Sequence, residues 1–319
     1  MDLVYNIRRM LFSPTNTVTA FLTKKCELRL SNNCNYSDSV IVPGFKSAWL
    51  LLFSDDGNKI AGLSGDNILY VFNIDSKKII KIKVKGISMV GNIAFSKSGE
   101  YIFVQSELVE SSRGNYTKIL IINLSNGSSR IEKIDRAYNM EIIKGYRDIA
   151  FVCRKRIKIT DKFFQPQYYA LYDWSEEQEK LILRYEIAPQ NNWGDDFELI
   201  LDKGNGLYVS LVNQKIVCHA QERMFDYEVI LDTDMFLSKF EKIWSVTYVD
   251  NNESILICII EDVSESQYSL MMLDYQSGNV ISKVYLNGFP DYISLSKDRK
   301  RLSYTVWNNP SDYCVYMLP

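Results

Sequence analysis

Short apolar runs separated by turn signals recur along this chain at a nearly constant spacing. The clearest copy spans 49–84, where four strand-like runs alternate with three polar breaks. Apolar runs bounded by Asp, Gly and Asn are typical of antiparallel strands joined by tight turns. The first break is the turn at 55–58, and related turns precede and follow it. Their reference positions are Thr15, Gly57, Gly99, Arg147, Asn205, Asn252 and Arg299, at intervals of 42, 42, 48, 58, 47 and 47 residues.

This repeat length predicts a radial array of small sheets. Four-stranded units repeated about every 40 to 50 residues are typical of β-propellers. We predict an all-β fold, a seven-bladed β-propeller of four-stranded antiparallel blades, as a single domain over 1–319. The predicted blades are 8–42, 46–85, 90–134, 139–187, 197–231, 243–286 and 292–318. The last blade shows three strands, so we expect the run at 3–7 to pair there and close the ring.

Composition supports sheets and argues against a general electrostatic partner. The 319 residues include 21 Tyr, 15 Phe and 5 Trp, and aromatic residues suit pleated, half-buried surfaces. With 37 Lys+Arg against 39 Asp+Glu the net charge is −2. We therefore expect neither nucleic acid nor a membrane to be the partner. The basic run 154–158 could contact phosphate or could be a solvated strand end.

Cysteine usage and the amino-terminal sequence predict a cytoplasmic protein. The six cysteines form no Cys-x-x-Cys pair, and most of them lie in apolar runs, as reduced cysteines do. Cys26 and Cys34 could form a disulfide, although nothing requires one. We expect no signal peptide at the amino terminus, and no apolar stretch approaches the 18 or so residues of a membrane span.

Several third strands end in a repeated signature. It is Tyr-Val-Phe-Asn at 70–73, Leu-Ile-Ile-Asn at 120–123, Leu-Tyr-Asp at 171–173 and Met-Leu-Asp at 272–274, the last followed by Ser277-Gly278. These segments resemble the apolar-Trp-Asp and Ser-Gly steps of the WD40-like (YVTN-type) β-propeller superfamily. A single histidine in the chain means that the Gly-His step of that family cannot recur. The resemblance implies the fold and says little about the ligand.

The chain lacks the motifs of most enzymes. His219 is the one histidine, no Gly-x-Ser-x-Gly step occurs, and zinc-type Cys/His spacings are missing. We therefore predict no catalytic residue, no metal and no cofactor. An enzyme or small-ligand-binding propeller with acidic residues at the channel mouth remains the alternative, with Asp195-Asp196 as the best candidates. The pair Asp55-Asp56 fits an ordinary turn.

Irregular segments gather on one predicted face. The turns between first and second strands are tight, whereas the connections after second strands (107–117, 160–168, 261–267, 307–312) and between blades (188–196, 232–242) are long. Loops on a rigid scaffold carry binding residues more often than the scaffold does. We predict a non-enzymatic platform that binds another protein or peptide on this face. The candidate partner-binding residues are Phe163, Phe164, Gln165, Tyr168, Asn192, Trp193 and Trp307. The alternative for Phe163 and Phe164 is that they fold inward and anchor their own loop.

Overall fold

The protein is a succession of antiparallel sheets. The computed structural model describes residues 7–15, 17–47, 50–87, 89–109, 116–135, 137–144, 149–160, 163–187, 198–201, 208–212, 215–219, 227–250, 255–296, 300–306 and 309–317. Within these residues lie 27 strands and a 3-10 helix, Thr233–Met235. The strands form seven sheets, and in each sheet the spatial order of the strands follows the chain. The predicted all-β class is confirmed.

The chain divides into two compact units. Unit 1 comprises 1–107, 118–132 and 288–319, and unit 2 comprises 108–117 and 133–287. Sheets 1, 2 and 7, and most of sheet 3, lie in unit 1. Their strands are β1 Ile7–Phe12, β2 Thr19–Thr23, β3 Glu27–Ser31 and β4 Val40–Lys46; β5 Leu51–Phe53, β6 Lys59–Leu63, β7 Ile68–Asn73 and β8 Ile79–Lys83; β9 Val90–Phe95, β10 Tyr101–Ser106, β11 Tyr116–Asn123 and β12 Ser129–Asp135; and β25 Pro290–Leu295, β26 Arg301–Val306 and β27 Asn309–Met317.

Unit 2 holds sheets 4, 5 and 6. Their strands are β13 Ala137–Lys144, β14 Ile149–Thr160, β15 Phe163–Ser175 and β16 Lys180–Ile187; β17 Glu198–Leu201, β18 Tyr208–Val212, β19 Lys215–His219 and β20 Tyr227–Asp232; and β21 Glu241–Asp250, β22 Ile255–Asp262, β23 Gln267–Asp274 and β24 Asn279–Tyr285. Sheet 7 has three strands among the described residues, and the other six sheets have four each. The seven sheets follow the seven predicted segments in order, although several strands run past the predicted bounds, by up to four residues at the end of β4.

A buried serine at the end of the first strand fixes the turn in each sheet of unit 1. In sheet 2 the Ser54 amide donates to the carbonyl of Lys59 at 2.9 Å, and the Lys59 amide donates back to Ser54 Oγ at 2.9 Å. Because Gly57 has a φ of 71°, it takes the left-handed conformation that such a turn needs. The equivalent serines are Ser13, Ser54, Ser96 and Ser296, each at most 5% exposed.

Neighbouring sheets of unit 1 pack through alternate strand residues. Sheets 1 and 2 share a cluster in which the rings of Phe45 and Tyr70 lie 5.6 Å apart. Sheets 2 and 3 share a second cluster that includes Leu63, Val71 and Ile102. In unit 2, sheets 5 and 6 pack in the same way. Each fully buried Leu or Ile contributes about 1.5–3 kcal/mol relative to exposure.

The first and last sheets lie against each other within unit 1. Ser303 in β26 donates its hydroxyl to the carbonyl of Met10 at 3.1 Å, and the Phe12 amide donates to Ser294 Oγ at 3.0 Å. The guanidinium of Arg301 lies 5.9 Å from the ring of Phe12. The predicted pairing of 3–7 falls outside the described residues, apart from Ile7, which begins β1 and pairs with Thr23.

Several predicted loops have a different structure. The predicted excursion at 160–168 is wrong, since all of it except 161–162 belongs to β14 and β15. The connection predicted at 261–267 is a turn of four residues, because β22 continues to Asp262. The helix-like spacing at 232–241 gives only one 3-10 turn, capped as expected by Asp232. Cys26 and Cys34 are free thiols.

One of the two longest fully described connections lies on the side predicted to be plain. It is the eight-residue segment 32–39 between β3 and β4. Polar side chains brace it, with Asp38 accepting hydrogen bonds from the amides of Asn33 at 2.8 Å and Asn35 at 3.0 Å. Long connections therefore occur at both ends of the strands, between third and fourth strands as well as between sheets.

A candidate protein-docking surface

Large hydrophobic side chains are exposed at one end of sheet 6, on both of its faces. Phe240 is 50% exposed, Trp244 45%, Val263 58% and Tyr285 60%. We call these four residues the aromatic patch. Apolar groups left in water cost free energy, and a cluster of exposed aromatic residues at one end of a sheet is a candidate anchor for a partner.

Strand pairing places these residues at one end of sheet 6, with Trp244 on the face of Tyr268 and Tyr285 on the opposite face, beside Ser269. Val263 follows β22, and its amide donates to the carbonyl of Phe240 at 2.9 Å. Tyr285 ends β24 and lies opposite Ser269. These positions belong to the end of the sheet that carries the β22–β23 turn and the connection from sheet 5.

Trp244 is the extra residue of a β-bulge. Ile243 pairs with Ile260 and Ser245 with Ile259, so nothing on β22 lies opposite Trp244. Bulges redirect side chains and are common next to functional sites. The Trp244 indole meets the ring of Tyr268 edge-on, with centroids 6.3 Å apart. The ammonium of Lys242 lies 5.4 Å from the centroid of the indole.

An ion pair lies next to Trp244 in the aromatic patch. The ammonium of Lys242 lies 2.9 Å from Oε2 of Glu261, and the phenol of Tyr268 donates to Oε1 of the same carboxylate at 3.3 Å. Burial, reinforced by the charge of Glu261, raises the pKa of Tyr268 above its usual value. The phenol therefore stays protonated and keeps donating through neutral pH.

A second ion pair fixes the start of β21. Lys283 donates to Glu241 across the sheet, and the Ser238 amide donates to Oε2 of Glu241 at 2.9 Å. Burial acts to raise the pKa of Glu241, but these hydrogen bonds outweigh it and leave the pKa lowered. Glu241 is therefore a carboxylate at neutral pH.

Each exposed ring of the aromatic patch has a lysine beside it. The ammonium of Lys239 lies 4.6 Å from the ring of Phe240, and that of Lys283 lies 5.7 Å from the ring of Tyr285. Cation–π contacts of this kind contribute about 0.5–1 kcal/mol at exposed sites. They hold the rings in defined positions, so a partner that covers them loses little side-chain entropy.

Comparison with known proteins identifies the fold. No family model matches the chain, and no curated protein matches it in sequence. The structure of U3-55K superposes with a TM-score of 0.57 at 13% identity, covering 98% of this chain and 96% of that chain. The crystal structure of the RRP9 WD40 repeats gives a TM-score of 0.54 at 13% identity, covering 95% and 87%. The fold is that of the WD40-like β-propellers.

In this WD40-like chain, four predicted partner-binding residues lie in a two-stranded arm. Among the described residues, β14 pairs with β13 as far as Lys155, and β15 pairs with β16 from Tyr169 onward. Beyond those points β14 and β15 pair with each other, as in Lys158 with Phe164. We call residues 156–168 the arm. It contains Phe163, Phe164, Gln165 and Tyr168.

Other sequence candidates are separate from the aromatic patch or outside the described residues. Asn192, Trp193, Trp307 and the pair Asp195-Asp196 lie outside the described residues. His219 ends β19, and its backbone is paired with Tyr208 and Tyr227. The basic run 154–158 lies in β14.

The described acidic clusters serve turns. Asp56 accepts from Ser54 Oγ at 2.5 Å and from the Asn58 amide at 3.0 Å, as a turn residue does. Asp232 caps the 3-10 helix and pairs with Lys215 at 2.7 Å.

Among the described residues no group of three or more His, Cys, Asp or Glu side chains could hold a metal ion. Within the same residues no helix has the length and apolar character needed to cross a membrane.

Sequence analysis missed the aromatic patch. Trp244, Tyr268 and Tyr285 belong to strands, and an aromatic residue in a strand ordinarily predicts core. Phe240 belongs to the connection 232–242, which the sequence predicts to be a long loop on the binding face. The available signal was the adjacency of lysine and aromatic residues at 239–240 and 242–244, which is unusual for a buried strand end.

Proposed function

We propose that this protein is a non-enzymatic interaction platform that binds another protein through the sheet ends carrying the second-to-third strand and interblade connections. The observation that supports the proposal is the aromatic patch on sheet 6. Its rings are exposed, are flanked by charged groups and sit on a paired sheet. Interfaces favour this combination of aromatic anchors and a polar rim.

The partner that fits is a protein surface carrying an apolar side chain between groups of both charges. Lys239, Lys242 and Lys283 present ammonium groups to it, and Glu241 and Glu261 present carboxylates. The arm belongs to the same functional proposal, because it is built from the ends of β14 and β15, the second and third strands of sheet 4. We keep Phe163, Phe164, Gln165 and Tyr168, together with Asn192, Trp193 and Trp307, as proposed contacts.

We further propose that the seven sheets are seven blades of one propeller, which residues 3–7 complete by pairing in sheet 7. The hydrogen bonds between sheets 1 and 7 support this closure, as does the three-strand count of sheet 7.

We also propose the cytoplasm as the compartment, since the described cysteines Cys26, Cys34 and Cys258 are free thiols.

The proposal is tested by affinity purification with matched variants. The Val263→Asp variant puts a charge into the aromatic patch, and Trp244→Ala removes its largest anchor. Val229→Asp is the control, because Val229 is 52% exposed on β20, against 58% for Val263. We expect a stoichiometric partner to be retained by the wild type and the control. Loss of an anchor of this kind typically weakens binding about thirtyfold or more. Retention by all three variants would show that the aromatic patch is not the docking surface.

A further inference from the structure

An open groove lies between the outer strands of sheets 1 and 2. It has a volume of about 580 Å³. One wall is the start of β4, where Val40 is 70% exposed and Ile41 42% exposed. The opposite wall is formed by Phe72, Ile74 and Ile79 from β7, β8 and the turn between them. All of it belongs to unit 1, so it is a different surface from the aromatic patch.

The groove exists because β4 leaves its sheet partway along. Val40 and Ile41 pair with Leu30 and Arg29, but the next paired residue is Lys46, opposite Glu27. Pro43 cannot donate a backbone hydrogen bond, and Gly44 has a φ of 77°. The bulged segment buries Val42 and Phe45 against sheet 2, and the groove lies beside it, where Pro43, Ile79 and Ile74 line the surface.

Register places apolar and basic side chains on the same face of β8. Ile79 lies opposite Phe72 and Lys81 opposite Tyr70, so these four share one side of sheet 2. The Lys81 ammonium lies 5.5 Å from the ring of Tyr70 and beside Gly44, at the Pro43 end of the groove. Lys77 lines the other end.

The surroundings of the groove are strongly positive. Residues 75–87 contain five lysines and one carboxylate, the exposed Asp75 of the β7–β8 turn. Lys46 adds a sixth exposed ammonium at the end of β4. The carboxylate of Asp38, which also lines the groove, is held by Asn33 and Asn35 of its own loop. A ligand therefore meets an apolar strip with positive charge at both ends.

We propose that this groove binds an extended acidic peptide segment of a partner protein, in which two or three apolar residues are flanked by Asp or Glu. The apolar residues would occupy the strip between Val40 and Ile79, and the carboxylates would lie near Lys77 and Lys81. Charge complementarity selects this ligand. Nucleic acid would use the lysines and leave the apolar walls without a role.

The test is selection from a displayed library of random twelve-residue peptides with the full chain as bait. We expect enriched peptides to carry apolar residues flanked by Asp or Glu. Their affinity, measured by fluorescence anisotropy, should fall at least about tenfold with Val40→Asp, because a charge would then face the apolar residue. The double variant Lys77→Glu/Lys81→Glu should weaken binding by about threefold to tenfold, with the difference shrinking at high salt.

Two controls keep the outcome specific. The double variant Lys24→Glu/Lys25→Glu makes the same charge change at the β2–β3 turn of sheet 1, and Val280→Asp makes the same apolar change on β24, where Val280 is 43% exposed. Both should bind as the wild type does. The Trp244→Ala variant should also bind the peptides normally, which separates this proposal from the aromatic patch.

Three outcomes would overturn the proposal. The first is the absence of enriched peptides, and the second is enrichment that survives both groove variants. The third is binding of a twelve-nucleotide polyuridine or of phosphatidylserine vesicles that depends on the lysines and is unchanged by Val40→Asp. That third result would assign the basic strip to nucleic acid or membrane.

Discussion

The hydroxyl of Ser303 donates a hydrogen bond to the backbone carbonyl of Met10, 293 positions earlier in the chain, at 3.1 Å. Ser303 is 1% exposed, so water does not replace the bond when it is lost. The contact joins the middle strand of sheet 7 to the first strand of sheet 1. It therefore reports directly on whether these two sheets are packed together.

The Ser303→Ala variant is expected to lower the free energy of unfolding by about 1 kcal/mol, because the Met10 carbonyl loses a buried donor. Urea unfolding measures the change. Ser76→Ala serves as the control, since that hydroxyl is exposed and bonds Asn73 within its own turn. Equal stability of the two variants would show that the contact between sheets 1 and 7 contributes nothing measurable.

The Gly62→Ala variant is expected to destabilise unit 1 by about 1–3 kcal/mol. A methyl group at Gly62 would lie 2.8 Å from Cβ of Ser47 and 2.9 Å from Cζ of Phe45, both of which are buried. The matched control is Gly65→Ala, because a methyl group there would meet nothing within 4 Å. Thermal unfolding should separate the two variants. If both melt together, sheets 1 and 2 are packed more loosely than described.

The Glu241→Gln variant is expected to cost about 1 kcal/mol at neutral pH and progressively less in acid. The lowered pKa of Glu241 means that the folded state favours the carboxylate, so its stabilisation is present above the unfolded-state pKa near 4.5. This stabilisation is lost as the pH falls through the folded-state value. Urea unfolding from pH 7 to pH 3 follows the difference, with Glu177→Gln in an exposed turn as the control. A difference that does not depend on pH would contradict an ionised Glu241–Lys283 pair.

The double variant Phe163→Ser/Phe164→Ser is expected to weaken partner binding by about tenfold or more while leaving the melting temperature within a few degrees. The reason is the position of both residues in the arm, beyond the pairing of β14 with β13 and of β15 with β16. Binding is measured against the partner retained by the wild type. A large drop in melting temperature instead would favour the alternative, in which these rings anchor the arm itself.

Sequence reasoning predicted sheets well because each sheet is a local structure. Turn residues such as Gly57, with its positive φ, reveal strand ends without reference to the rest of the chain. The serine that recurs at 13, 54, 96 and 296 could have sharpened those predictions, since it follows an apolar residue at the end of a first strand every time.

The candidate surfaces could not be predicted in the same way. Trp244 is exposed because a bulge turns it out of sheet 6, and one sequence does not show where a register shifts. The groove beside Val40 borders the point where β4 bulges away from β3 around Pro43, and its other wall belongs to sheet 2. Both features arise from how strands pair, whereas the pattern of apolar residues records only which strands exist.

Unit 1 is assembled from three separate pieces of chain, the last of which is 288–319. During synthesis the ribosome releases almost all of unit 2 before β25–β27 appear. The nascent β1 therefore waits through about 280 residues of translation for the sheet that covers it, which at about 5–20 residues per second is some 14 to 56 seconds. Its apolar face needs protection over that interval, so a chaperone that holds the emerging amino-terminal sheets would raise the yield of folded protein.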